Sequence, residues 1–114
     1  MGVTIRSLAA QALGAGASVS YTPGAGKGGI VKSILLVNTA GGASTVTAVL
    51  KSGSNGGALI NICPAGKSIP KDEMLELTAE VTLSFINSTD GDKVTVTCNT
   101  GSVHCIISGI ERDN

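Results

Sequence analysis

IVKSILLVN, residues Ile30 to Asn38, decides how the glycine-rich stretch before it, PGAGKGG from Pro23 to Gly29, is to be understood. Gly24, Gly26 and Gly29 spell G-x-G-x-x-G around Lys27, the letters of a phosphate cradle. Such a cradle works because a helix leaves the glycine turn and sets its N-terminus against the pyrophosphate. The nine residues after Gly29 are instead short, β-branched and bounded by turn residues, which is a strand pattern. No helix dipole is on offer, so nucleotide binding is not expected. A P-loop fails as well: it needs glycine five places before Gly26-Lys27 and Ser or Thr after the lysine, where Tyr21 and Gly28 stand. CPAGKSIP, Cys63 to Pro70, ends like a P-loop in Gly66-Lys67-Ser68 but has Asn61 in place of the first glycine. Both clusters read as turns leading into strands, with proline fixing one dihedral and glycine supplying positive φ.

Outward from Ile30 the chain is a series of short Val, Ile, Leu and Thr runs cut by glycine-rich loops such as AGGAS and KSGSNGG, the pattern of an all-β domain. The expected strands are Ser18 to Thr22, Ile30 to Asn38, Thr45 to Lys51, Leu59 to Cys63, Met74 to Leu77, Val81 to Asn87, Lys93 to Asn99 and Val103 to Ile110. An Asp90-Gly91 type I′ turn sets Phe85 opposite Val96 and Leu83 opposite Cys98. A Gly101-Ser102 type II′ turn sets Cys98 opposite Cys105 and Val96 opposite Ile107. On that register the last three strands form a meander. VTIRSLAAQAL is ambiguous between a strand from Val3 to Arg6, a helical turn capped by Ser7 and a flexible arm. The organisation is therefore an N-terminal arm or first strand over residues 1–16 and a β-sandwich domain over 17–114. About eight strands in so short a chain favour a two-sheet antiparallel sandwich, jelly-roll-like, over a closed barrel.

The 114 residues fit one domain with a modest core. Hydrophobic residues make up 42% and aromatics only 2%, so Phe85 and Tyr21 are the only rings and base stacking is poorly provided for. Eight basic and eight acidic residues cancel, which removes the driving force toward nucleic acid or anionic membranes. The charged fraction of 14% is low against the roughly 25% of ordinary domains, and weakly charged surfaces associate. No run approaches the ~18 apolar residues of a membrane span. The N-terminus lacks a secretory pattern, so synthesis in the cytoplasm is expected.

Chemistry-bearing residues are sparse. His104 is the only histidine, and a Cys-His dyad with Cys105 would need both side chains on one side of a strand, where neighbours diverge. Cys63, Cys98 and Cys105 with His104 lack the C-x-x-C spacing of a zinc site. Cys98 and Cys105 form a possible cross-strand thiol pair, although buried free thiols are the simpler reading. Asp72, Glu73, Glu76 and Glu80 flank Leu75 and Leu77 as a solvated strand face, and Asn87-Ser88-Thr89 reads as the approach to a turn. No catalytic residue, cofactor or metal is expected. The turn around Gly24, Gly26, Lys27 and Gly28 is the candidate subunit contact, because glycine permits close backbone approach.

YTPGAGKGGIVKSILLVNTAGGASTVTAVL, then PAGKSIP, then GDKVTVTCNTGSVHCIISGIER, resembles small β-sandwich virion proteins of tailed bacteriophages. That group has a Y-T-x-P-A-G-K turn, a strand ending Asn-Thr, an alternating Thr/Val strand, a Gly-Asp turn and a final Ser-Gly-Ile/Val-Glu. Here these are Tyr21 to Lys27, Asn38-Thr39, Thr45 to Leu50, Gly91-Asp92 and Ser108 to Glu111. The similarity covers Ser18 to Arg112. It departs at Gly24-Ala25, where the pattern has one alanine, and at the extra Gly28-Gly29. The resemblance implies a non-enzymatic structural role in the virion, with capsid decoration (cement) on the shell surface favoured over a tail, neck or fibre component. It implies the major capsid protein or another virion protein as partner, and a homo-oligomer, with a trimer the expected state. The first sixteen residues would then lie across neighbouring subunits. A carbohydrate-binding module is the competing class, but such modules need aromatic platforms.

Overall fold

Lys93 to Thr100 turns Val94, Val96 and Cys98 into the interior and leaves Thr95 and Thr97 on the other side, the two-residue period of a strand with one solvated face. The same period recurs along the chain. A computed structural model describes residues 3–24, 26–52, 58–78, 81–84 and 91–113. These contain the strands β1 (Val3–Gly14), β2 (Ser18–Tyr21), β3 (Lys27–Asn38), β4 (Ser44–Ser52) and β5 (Ala58–Asn61). They continue with β6 (Lys67–Ile69), β7 (Met74–Leu77), β8 (Val81–Ser84), β9 (Lys93–Thr100) and β10 (Ser102–Asp113).

Two antiparallel sheets of five strands face each other. Sheet I runs β1-β10-β3, with β7 and β8 both on the far side of β3; sheet II runs β2-β9-β4, with β5 and β6 both on the far side of β4. β6 pairs with Ser44–Val46 and β5 with Val49–Ser52, so the two are halves of one interrupted strand along β4. β7 and β8 divide β3 in the same way. Counted so, eight strands cross from sheet to sheet at each connection except the β4–β5 hairpin, which is jelly-roll topology.

The expected meander is not formed. β8 pairs with β3, β9 with β2 and β4, and β10 with β1 and β3. Leu83 stands opposite Gly29, not Cys98; Phe85 and Asp90 lie outside the described residues. Val96 is opposite Val19 and Ala48, and Ile107 is opposite Ala9 and Ile34. The apolar alternation matched because β9 and β10 line one core from opposite layers. Period two says which face a residue takes, not which strand lies beside it. Gly101 does carry the turn, at φ +84, but that turn bridges the sheets, and a Cβ there would run into the Ser44 hydroxyl.

Of the two expected forms of residues 1–16, an arm or a first strand, residues 3–14 take the strand. β1 pairs with β10 from Val3–Arg112 to Gly14–Ser102 and places Leu13 in the core, so residues 3–14 belong to the sandwich. The register slips between Ser7 and Ala9, and on the opposite flank of β10 a second slip falls between Ser108 and Gly109. The core is aliphatic: Leu13, Val31, Ile34, Leu36, Leu83, Val103 and Ile107 from sheet I meet Val19, Val46, Ala48, Ile69, Val94 and Val96 from sheet II. Burial of each Val, Leu or Ile side chain among them contributes roughly 1.5–3 kcal/mol.

Candidate functional site

The glycine turn opens on Gly24, whose carbonyl accepts a 3.0 Å hydrogen bond from the Lys27 amide, with Gly26 at φ +74. Lys27 closes this turn and at the same time begins β3, opposite Asp113, while Gly28 lies inside that strand, opposite Arg112. Gly29, third glycine of the G-x-G-x-x-G letters, is buried beneath Tyr21: a Cβ on it would stand 2.8 Å from the phenol oxygen. Tyr21 in turn donates a 2.7 Å hydrogen bond to Glu111 Oε2. The glycine therefore admits a ring from the opposite sheet. A hollow of about 170 Å³ beside it lies between Gly28, Ile30, Thr82, Ile110 and Arg112.

The remaining sequence candidates are dispersed. His104 is exposed and Cys105 buried, on opposite sides of β10. Cys98 and Cys105 are not cross-strand neighbours, since Cys98 pairs with Val46 in sheet II and Cys105 with Leu36 and Gln11 in sheet I. All three cysteines are free and buried. Burial raises the thiol pKa of Cys98, and pushes that of Cys105 up to about 11. Asp72, Glu73 and Glu76 are exposed; Glu80 and Asn87-Ser88-Thr89 lie outside the described residues. Among the described residues no three His, Cys, Asp or Glu side chains come together to hold a metal ion.

The outer faces of the two sheets differ in chemistry. Sheet II presents hydroxyls over β2, β9 and β4, where Ser20 and Thr95 share a hydrogen bond at 3.0 Å, Thr45 and Thr100 one at 2.7 Å, and Thr47 donates to Asn99 at 3.0 Å; its edge strand β5 exposes Leu59 and Ile60. Sheet I presents aliphatic side chains in cross-strand rows. One row is Ala12, His104, Val37 and Met74; the next is Ala10, Ile106, Leu35 and Glu76. Met74 is 65% exposed and Ile106 39%. A shallow hollow of about 310 Å³ lies over Ala10, Gln11, Ala12, His104 and Ile106. Sequence reasoning missed this face. Its signal was the unbroken run Ile34-Leu35-Leu36-Val37, because a strand solvated on one side alternates and one apolar on both sides does not.

No protein-family model matches the chain, and no curated protein matches it in sequence. Among solved structures, a Drosophila NLP core, described in connection with pentamer formation and histone binding, superposes with a TM-score of 0.53 at 19% identity, over 95% of this chain and 100% of that one. The CBM22-1–GH10 modules of Clostridium thermocellum xylanase 10B, complexed with xylohexaose, give a TM-score of 0.44 at 12% identity, over 99% of this chain and 26% of that one. A chain of infectious bursal disease virus Gx strain gives 0.38 at 12% identity, over 99% and 32%. The likeness to the Drosophila core is one of fold.

Proposed function

We propose that this chain is a non-enzymatic structural protein of a virion, acting as a capsid decoration subunit that binds the outer shell and stabilises it. The observation that carries the reading is the contrast between the two outer faces. One is hydroxyl-rich over β4 and β9, with exposed Leu59 and Ile60 confined to the edge strand β5, while the other brings exposed Met74 and Ile106 together with half-buried Leu35 and Val37 across its central strands, as a subunit of an assembly does and an isolated monomer seldom does. The sequence resemblance over Ser18 to Arg112 supplies the virion setting. The balance of eight basic and eight acidic residues suits protein partners, the major capsid protein foremost, better than nucleic acid. The turn at Gly24 and Gly26, at one end of the sandwich, is the candidate shell contact.

Counting copies in purified particles tests this. Hundreds on the shell are expected; about a dozen or fewer, as a connector ring holds, would move the protein to the tail or neck. Absence from the particle would overturn the reading. A carbohydrate-binding role has less support, because Tyr21, the one tyrosine, is 6% exposed and hydrogen-bonded to Glu111, so its ring is no platform. A strong specific hit on a glycan array would reverse that judgement.

A further inference from the structure

We infer that the outer face of sheet I binds a second copy of this chain, two copies stacking this face together about a two-fold axis that runs along the strands between β10 and β3. This pairing does not depend on the virion reading and replaces the trimer that the resemblance implies. Across each row the face falls from Met74 and Leu35 on the β7 and β3 side to Ala12 and Ala10 on the β1 side, where the 310 Å³ hollow lies. A two-fold axis along the strands keeps each row facing the same row and reverses its order. Met74 of each copy then meets the hollow over Ala12 of the other, and Leu35 meets Ile106. The surface is self-complementary, as an isologous contact requires, and the flexible thioether of Met74 adapts to an irregular hollow.

Charge and area agree with the relief. In this arrangement Glu76 meets Ala10 at the rim and Val37 meets His104, so neither of these two rows sets like charges against each other, and the exposed cations of the central strands, Lys32 and Arg112, lie farther along β3 and β10, outside both rows. The zero net charge leaves no long-range repulsion between copies. Strands of 12 residues are about 40 Å long at ~3.4 Å per residue, and four strands ~4.8 Å apart span about 15–19 Å. The whole face thus measures roughly 600–750 Å² per copy before side-chain relief, the upper limit of the contact, against the ~800 Å² per partner of a standard stable interface. Two sheets stacked face to face at ~10 Å repeat the packing inside each sandwich.

Sedimentation or light scattering at about 100 µM, above the micromolar range in which interfaces of this size hold, reads the outcome. The full chain is expected at twice its 11.3 kDa mass. Met74→Lys and Ile106→Lys are each expected to weaken association about tenfold or more, a loss of ~1.4 kcal/mol. Thr97→Lys, on the outer face of sheet II, should leave it unchanged. Met74 is exposed enough that its variant keeps the fold, which circular dichroism checks. A monomer, a trimer, or a dimer broken by Thr97→Lys and not by Met74→Lys overturns the proposal. None of these outcomes bears on the copy number per particle, so this pairing and the virion role fail separately.

Discussion

Tyr21, on sheet II, reaches across the core over Gly29 of sheet I to donate its phenol hydrogen to Glu111, the residue paired with Gly29 on the neighbouring strand. One side chain thereby ties β2, β3 and β10 together at the end of the sandwich where the glycine turn enters. Gly29→Ala should cost about 1–3 kcal/mol through overpacking, and Tyr21→Phe about 1.5–3 kcal/mol through loss of a hydrogen bond to a charged group. The double variant should cost less than the sum, because both changes act on one contact. Urea unfolding measures all three, and a Gly29→Ala protein as stable as its parent would sink the assignment.

Asn38 ends β3 as a buried hub. Its amide donates toward the carbonyls of Gly42, Ile69 and Pro70 at 2.9–3.0 Å, while its oxygen accepts from the Ala40 amide and the Ser44 hydroxyl at 2.8 Å each. Asn38→Ala should lose about 3 kcal/mol or more, since several buried groups are left unpaired together. Asn38→Asp should be no better, because a carboxylate cannot donate to those carbonyls. Thermal unfolding of both variants against Thr39→Ala, an exposed neighbour, checks the point.

The Cys105 thiol, pushed up to about 11 from 9.0 by burial, makes stability fall with alkaline pH. The folded state holds its proton after the unfolded state has released it. The contribution is therefore full below about pH 9 and is lost as pH rises toward 11, on the order of 3 kcal/mol in all. The unfolding free energy of the parent minus that of Cys105→Val should fall across that window. A flat difference would exclude the linkage.

Because β1 pairs along its length with β10 and buries Leu13, removing residues 1–16 takes away an edge strand and not a tether. The truncated chain should lose cooperative unfolding, as well as any binding to particles. Retention of a cooperative transition near that of the parent would show that the sandwich closes without β1.

The strand that follows the glycine turn in place of a helix, the all-β character and the existence of β2, β3, β4, β5, β7, β8, β9 and β10 were legible in local pattern. Alternation in TVTAV and KVTVTC, and turn chemistry around Gly24 and Gly101, are short-range properties. β6 was not separated from its turn, because three residues carry too little period to register. Gly28 looked like turn because glycine hides a strand that Arg112 recruits by pairing, and Lys27 both closes the turn and pairs with Asp113.

By itself, then, the sequence determined which residues point inward, why no helix follows PGAGKGG, and that Cys98 and Cys105 would pack as small hydrophobes. Only the tertiary structure decided which strand lies beside which, parting β9 from β10, seating Tyr21 over Gly29 and gathering Leu35, Val37, Met74 and Ile106 on one outer face. The physical reason is that a strand's own residues specify its faces through a period of two, whereas its neighbours are chosen by the closure of a shared core that residues far apart in the chain must fill together.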